Sequence, residues 1–374
     1  MGSLALVYFI YLGFDVIAIT TLFAISTIVM IFFEFPTGAI ADYDSRKKSI
    51  MIGFFLMSLA FFGLFIFRNF WLLAGSWILG DIAWTFCSGA GGAWSIDALN
   101  IGKKKNKIVS LISKGYMFEK GGHIIGGLIG LIIVAINFSS IWLFVSLSNL
   151  FMFFVITIYM EERNFKPEKT PHNYLTKSLI KAKETFNYVI HKKNNELRVL
   201  LIGGFLGVVA MSSFAIGVPL LFTQVLNLKE QYLPGLYAGL TILAIGIPII
   251  IEKIAHKNGF RMPLVVLLSI IGISMIAFAF SQSLIFAIIA LAVYTVGEVG
   301  LSVVEDSAYH NEFDSKIRAS LGSLSNINWS IASSITVFIS GISITFFGLI
   351  PTIAASGGIA FISALVYLFG MRKS

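Results

Sequence analysis

Eleven long apolar segments constrain the fold of this chain more than any other feature. They cover residues 16–41, 49–67, 70–99, 107–136, 139–160, 197–223, 232–252, 262–281, 283–308, 319–347 and 349–370. A helix needs about 20 apolar residues to cross the roughly 30 Å of hydrocarbon in a bilayer. Because that region holds no water, a chain that crosses it repeatedly must satisfy its backbone hydrogen bonds internally, as helices do. The sequence therefore predicts an all-α polytopic membrane protein.

Composition supports lipid as the solvent for most of the chain. Of 374 residues, 57% are hydrophobic and 12% are charged, whereas soluble domains carry about 25% charged residues. The sequence has one cysteine, Cys87, which excludes a disulfide framework and a cysteine-based metal site. We expect no cofactor.

The segment from Leu4 to Phe14 is apolar but too short to cross a bilayer. It rises about 16 Å as a helix, and Asp15 then marks a membrane surface. We expect it to be the outer half of a truncated first helix, so that the intact protein has twelve helices.

Basic residues alternate between loops, and this alternation predicts the orientation of the chain. Every second loop is rich in them: Arg46, Lys47, Lys48, Lys103, Lys104, Lys105, Lys107, Lys253, Lys257, Arg261, Lys316, Arg318, Arg372 and Lys373. The intervening loops hold only Arg68 and Lys229. Because loops rich in lysine and arginine stay in the cytoplasm, we expect a cell-membrane protein with both termini of the intact chain cytoplasmic. The net charge of +8 is thus a topology signal and does not indicate nucleic-acid binding.

A polar, basic segment at residues 161–196 divides the chain into an N-terminal bundle, 1–160, and a C-terminal bundle, 197–374. Within it, apolar residues recur at a helical period, which fits an amphipathic helix held on the inner membrane surface by anionic lipids. A solvated linker is the alternative. The halves resemble each other weakly, since landmarks such as Asp97 and Asp306 recur at a nearly constant offset.

The loop after the second helix carries a specific motif. From Gly38 the chain reads Gly, three residues, Asp42, two residues, Ser45, and then Arg46 and Lys47. This resembles the signature loop of the major facilitator superfamily, in which a second glycine stands at the position of Ser45. The sequence Glu-Phe-Pro-Thr-Gly that leads into it resembles bacterial exporter-like members. The resemblance implies two pseudo-symmetric six-helix bundles around a central cavity.

The resemblance also implies a latch on the cytoplasmic side that opens during inward opening. Arg46 is expected to pair with Asp97, and Asp42 to meet the positive start of the helix near Arg318. The full set is Gly38, Asp42, Arg46, Lys47, Asp97 and Arg318. The alternative is that the basic residues only determine topology.

Several ionisable residues lie inside the apolar segments, where charges are costly and usually functional. Helical spacing places Asp81 and Thr85 on one face, and a low-dielectric site lets a carboxyl group gain and lose a proton. Glu119 is expected to reach His123 one turn later, or else to pair with Lys120 or Lys114. The residues predicted to serve proton coupling or line a substrate cavity are Asp81, Glu119, His123, Glu298, Tyr294 and Glu305.

Missing motifs argue against several other classes of membrane protein, although residue types alone do not exclude a serine protease. The chain has no phosphate-binding loop of the Gly-x4-Gly-Lys-Ser/Thr type and no His-Glu-x-x-His or Gly-x-Ser-x-Gly motif. We therefore expect a monomeric secondary active transporter, not an enzyme, that exports a small amphipathic or cationic compound with protons as the coupling ion. The alternatives are an uptake symporter or facilitator of a small metabolite, and an inactive or sensory membrane protein.

Overall fold

Helices make up almost all of the chain that the computed structural model describes, which is residues 2–88, 90–98, 105–162, 188–189, 195–251, 259–312 and 318–371. In chain order they are α1 (Gly2–Tyr11), α2 (Val16–Tyr43), α3 (Arg46–Ile66), α4 (Phe70–Ser88), α5 (Ala90–Ala98), α6 (Lys105–Ile136), α7 (Ser140–Tyr159), α8 (Asn195–Leu220), α9 (Leu233–Ala244), α10 (Arg261–Ala279), α11 (Leu284–Glu312), α12 (Arg318–Phe347) and α13 (Leu349–Gly370). The predicted all-α fold is confirmed.

Eleven stretches of helix in the described part of the chain are long and apolar enough to cross a membrane. The last predicted segment, 349–370, has the bounds of α13. The predicted segment 70–99 contains two helices, α4 and α5, and residue 89 between them is outside the described residues. The predicted amphipathic helix also lies outside them, except for Tyr188 and Val189.

Residues Ile25–Leu175 form one compact unit, called here the first unit. Its centre is α3, which packs against both α4 and α7. Gly53 of α3 approaches α4 so closely that a Cβ there would lie 2.9 Å from the carbonyl oxygen of Ala83. On the other side, Ser146 Oγ of α7 donates a hydrogen bond of 2.8 Å to the carbonyl of Ser58. This packing holds α4, which carries Asp81, firmly against α3.

Residues Met1–Ala24 and Thr176–Ser374 form the second unit. Here α13 packs against α8 and α10, α1 and α12 pack against α8, and α11 packs against α10. The backbones of α10 and α13 approach closely, because a Cβ at Gly357 would lie 2.7 Å from the carbonyl oxygen of Gly272. Between α8 and α10, the rings of Phe214 and Phe278 lie 5.3 Å apart. The predicted domain boundaries at 160 and 197 stay a prediction.

Candidate functional site

Asp81 lies on α4, and its carboxylate accepts a hydrogen bond from a neighbouring helix. Ser26 Oγ on α2 donates to Asp81 Oδ2 over 2.5 Å, and Ser26 is fully buried. One turn further along α4, the carbonyl oxygen of Thr85 accepts a hydrogen bond of 3.2 Å from Thr37 Oγ1 of α2. The polar face predicted for Asp81 and Thr85 thus contacts hydroxyl groups of α2. Ser26 and Thr37 were not predicted, because helical periodicity reports no partner on another helix.

Glu119 and His123 lie one turn apart on α6, inside a membrane-spanning stretch. His123 Nε2 is 4.0 Å and Lys120 Nζ 3.8 Å from Glu119 Oε1, so both contacts are longer than a hydrogen bond. The Glu119 side chain is 50% exposed and that of His123 is 57% exposed. The side chain of Lys114 lies outside the described part of the chain.

The face of α6 that carries these groups is open within the described residues. No atom among them lies within 4 Å of the position that a Cβ would take at Gly115, Gly122 or Gly126. Glu119 and His123 therefore stand on a helix face without close neighbours at those three positions. A carboxylate and an imidazole in such a position do not suit contact with lipid.

Glu298 lies on α11, and it is close enough to Tyr294 to interact with it electrostatically. Tyr237 of α9 also interacts electrostatically with the phenol group of Tyr294. The Tyr294 side chain is buried, and its ring centroid lies 4.5 Å from that of Phe214 on α8. Glu298 therefore lies one turn of α11 after a tyrosine that belongs to a buried group of aromatic rings in the second unit.

Glu305, seven residues after Glu298, lies on the same face of α11 about 10 Å along the helix. Its Oε1 accepts a hydrogen bond of 2.8 Å from the hydroxyl of Tyr367 on α13. One turn later on α11, Tyr309 donates a hydrogen bond of 2.9 Å to the carbonyl of Leu200 on α8. Tyr367 was not predicted, although a tyrosine in an apolar helix usually has a hydrogen-bond partner when it is buried.

The signature loop is attached to the end of α7 through Glu162. Ser45 Oγ accepts from Lys48 N at 2.9 Å, which caps α3, and donates to Glu162 Oε2 at 2.8 Å. Glu162 Oε1 accepts from Lys47 N at 3.1 Å, and Lys47 Nζ donates to the carbonyl of Thr157 at 2.8 Å. The carboxylate therefore lies at the positive N-terminus of α3, where a negative charge is stabilising. Ser45 serves as the cap at the position where the family motif has glycine.

The predicted latch pairs involve side chains that lie outside the described part of the chain. Asp42, Asp97 and Arg318 lie in helices, but their side chains are outside the described part of the chain. The pairs Arg46 with Asp97 and Asp42 with the helix start near Arg318 therefore stay predictions. Among the described residues, no atom lies within 4 Å of a Cβ placed at Gly38.

No group of three or more His, Cys, Asp or Glu side chains within the described residues is placed to hold a metal ion.

Comparisons with known proteins agree on one fold. The family model described as Major Facilitator Superfamily matches residues 1–336. A POT family transporter in complex with 5-aminolevulinic acid is 15% identical, with 98% of this chain and 91% of that chain covered and a TM-score of 0.79. The nucleoside transporter NupG is 14% identical, with 99% and 94% covered and a TM-score of 0.76. A D-xylose-proton symporter is 11% identical, with 96% and 90% covered and a TM-score of 0.72. No curated protein sequence matches the chain.

Proposed function

The chain belongs to the major facilitator superfamily and is a membrane transporter rather than an enzyme, and from this premise we propose that it exports a small cationic or amphipathic compound in exchange for protons. Transport takes place across the cell membrane by alternating access. The substrate is bound by a carboxylate within the membrane, and a second carboxylate carries the proton.

The open face of α6 is the observation that carries this proposal. Glu119 and His123 are about half exposed although they lie in a membrane-spanning stretch. Ionisable groups at that depth almost always face a water-filled cavity or the interior of the bundle. A carboxylate on such a face attracts a cation, and Lys120, 3.8 Å from Glu119, is a charge that an incoming cation would displace.

Asp81 is the proposed proton carrier. Among the described residues its carboxylate has a hydroxyl partner, Ser26, and no basic one. A hydroxyl can donate to an ionised carboxylate and can accept from a protonated one. The site therefore tolerates both charge states of Asp81, which a carrier must adopt in each transport cycle.

Flux of a fluorescent lipophilic cation in proteoliposomes, with and without an imposed pH gradient, tests this function. We expect Asp81→Asn to abolish the dependence on the gradient while the cation still binds. Glu119→Gln should weaken binding roughly tenfold or more, because a hydrogen bond or ion pair with a charged group contributes about 1.5–3 kcal/mol. Asp15→Asn is the matched control, because Asp15 is an exposed acid outside the spans and an asparagine keeps its hydrogen bond from Ala18 N.

The two predicted effects can fail separately. Gradient-driven flux that survives in Asp81→Asn would remove Asp81 as the carrier. Flux of the cation inward along with protons, rather than outward against them, would identify an uptake symporter, which is the alternative direction. The absence of any flux would exclude lipophilic cations as substrates and leave the fold assignment intact.

A further inference from the structure

Two consecutive acids, at the end of the membrane-spanning part of α11, have different surroundings. Asp306 is exposed, whereas Glu305 is partly buried, and its Oε1 accepts a hydrogen bond of 2.8 Å from the hydroxyl of Tyr367. Tyr367 itself is 0% exposed. Within the described residues, Glu305 forms no ion pair with a lysine or an arginine. Glu305 is therefore a carboxyl group with a neutral hydrogen-bond donor, close to an acid that contacts water.

The fold makes room for this contact with two adjacent glycines on α8. A Cβ at Gly203 would lie 2.5 Å from Cζ of Tyr367, and a Cβ at Gly204 would lie 2.8 Å from the hydroxyl of Tyr309. Both phenol rings can therefore lie directly against the α8 backbone near Leu200. The two tyrosines come from different helices, α13 and α11, so the carboxyl group of Glu305 is at the junction of three helices.

Each of these three helices contributes polar groups to the surroundings of Glu305. Tyr367 is on α13, and Asp306 and Tyr309 are on α11 itself. From α8 the contribution is a backbone carbonyl, that of Leu200, which accepts from Tyr309 at 2.9 Å and lies 3.4 Å from the hydroxyl of Tyr367.

Among the described residues three further groups lie near this site, the first being Tyr188, which packs with Tyr309 against Val189 and Leu197. Arg198, two residues before Leu200 on α8, has its Nη2 3.2 Å from Asn195 Oδ1, and Ser325 of α12 is hydrogen-bonded to Tyr309. Burial raises the pKa of the Tyr309 hydroxyl, which lies beyond the membrane-spanning stretch, above its ordinary value. This hydroxyl therefore stays protonated and acts as a donor.

Among the described residues an ionised carboxylate in this position has no cation beside it, and burying an unpaired charge costs free energy. Protonation removes that cost and turns Glu305 Oε2 into a donor. We propose that Glu305 is a proton-binding site of this protein, distinct from Asp81 and Glu119, and that Tyr367 is the positioning residue that holds its carboxyl group at the junction of α8, α11 and α13. A hydronium ion in the adjacent water transfers one proton to Glu305: one O–H bond of the hydronium breaks, an O–H bond to Glu305 Oε2 forms, and a water molecule is left.

The consequence for transport rests on the proposed function. The protonated carboxyl group keeps the end of α11 packed against α8 and α13, and the ionised carboxylate draws water into the junction. Proton concentration on the side of Asp306 thereby sets how readily this end of the bundle opens. The proton-binding site itself requires no transport, so the two ideas can be tested apart.

Infrared difference spectroscopy of the purified, substrate-free full-length chain between acidic and alkaline pH tests the site directly. The probe is the proton, read as the carbonyl stretch of a protonated, sheltered carboxyl group. We expect Glu305→Gln to lose one such titrating band. Asp306→Asn, which removes an equal charge from the adjacent exposed acid, should keep that band. A band that is unchanged in Glu305→Gln would overturn the proposal, whether or not the protein transports anything.

Tyr367→Phe supplies a second measurement that does not depend on the folding of Glu305→Gln. It retains the ring against Gly203 and removes only the donated hydrogen bond. Because that bond stabilises the carboxylate, we expect the midpoint of the band to shift to higher pH. A purely structural role of Tyr367 would leave the midpoint unchanged, and that result would refute its positioning role.

Discussion

At the scale of single residues, three carboxylates each accept a hydrogen bond from the hydroxyl group of a residue on a different segment. Ser26 donates to Asp81, Tyr367 donates to Glu305, and Ser45 donates to Glu162. A neutral hydroxyl adds no charge of its own, so at Asp81 and Glu305 it does not hold the carboxyl group ionised as a lysine or arginine would. The first two pairs lie in membrane spans and suit proton exchange, whereas Glu162 lies outside the spans and stabilises a helix end.

Glu162→Ala should destabilise the first unit. The carboxylate accepts from Ser45 Oγ and Lys47 N at the start of α3, and the loss of charge-assisted hydrogen bonds of this kind costs about 2 kcal/mol. The apparent unfolding temperature in detergent measures the change. Asp44→Ala is the matched control, because Asp44 is an exposed acid of the same loop and its ion pair with Lys48 is also exposed, so that it contributes little stability. Equal unfolding temperatures for the two variants would show that Glu162 does not hold the loop.

At the scale of helices, α8 is shaped by glycines that admit the rings of its neighbours. Gly203 and Gly204 face the phenols of Tyr367 and Tyr309, and Gly217 faces Ile353 on α13. The absence of side chains at these positions lets α11 and α13 approach the α8 backbone, which is how small residues act in membrane helices. The proposed proton-binding site depends on this close approach.

Gly203→Ala should therefore destabilise the second unit, even though alanine favours helix. A Cβ there meets the Tyr367 ring at 2.5 Å, and overpacking costs about 1–3 kcal/mol. Gly239→Ala on α9 is the matched control, because no described atom lies within 4 Å of that position. It should be neutral or stabilising by up to about 1 kcal/mol. Thermal unfolding of both variants gives the comparison, and a more stable Gly203→Ala would contradict the packing described here.

At the scale of the whole molecule, the alternation of basic loops predicts which side of the membrane each loop faces. Asp44 lies in a loop predicted to be cytoplasmic, and Lys229 lies in one predicted to be external. Both residues are exposed. The single native cysteine, Cys87, can be replaced by serine, so that an introduced cysteine is the only thiol.

In a Cys87→Ser background, Lys229→Cys should react with a membrane-impermeant maleimide on intact cells. Asp44→Cys should react only after the membrane is permeabilised, because positively charged loops are retained in the cytoplasm. The Cys87→Ser parent is the unlabelled control. The opposite labelling pattern would mean that the chain has the reverse orientation, and it would exchange the inner and outer ends of the transport pathway.

The sequence alone determined the membrane-spanning helices and the family, because hydrophobic length and a motif such as Gly38 to Lys47 are properties of continuous segments. It also identified Asp81, Glu119 and Glu305, since an acid inside an apolar run is visible without a structure. For Glu119 it left two kinds of partner open, His123 or a neighbouring lysine. Glu119 and His123 are 4.0 Å apart, and Lys120 is nearer to the same oxygen of Glu119.

The hydrogen-bond partners of Asp81, Glu305 and Glu162 are visible only in the tertiary structure. Ser26 and Asp81 are 55 residues apart, Glu305 and Tyr367 are 62 apart, and Ser45 and Glu162 are 117 apart. Periodicity within a helix specifies which face a residue occupies, but the neighbour on that face depends on how separate helices pack. In lipid that packing follows small residues and the fit of side chains rather than hydrophobicity, so no pattern along one segment could have revealed these pairs.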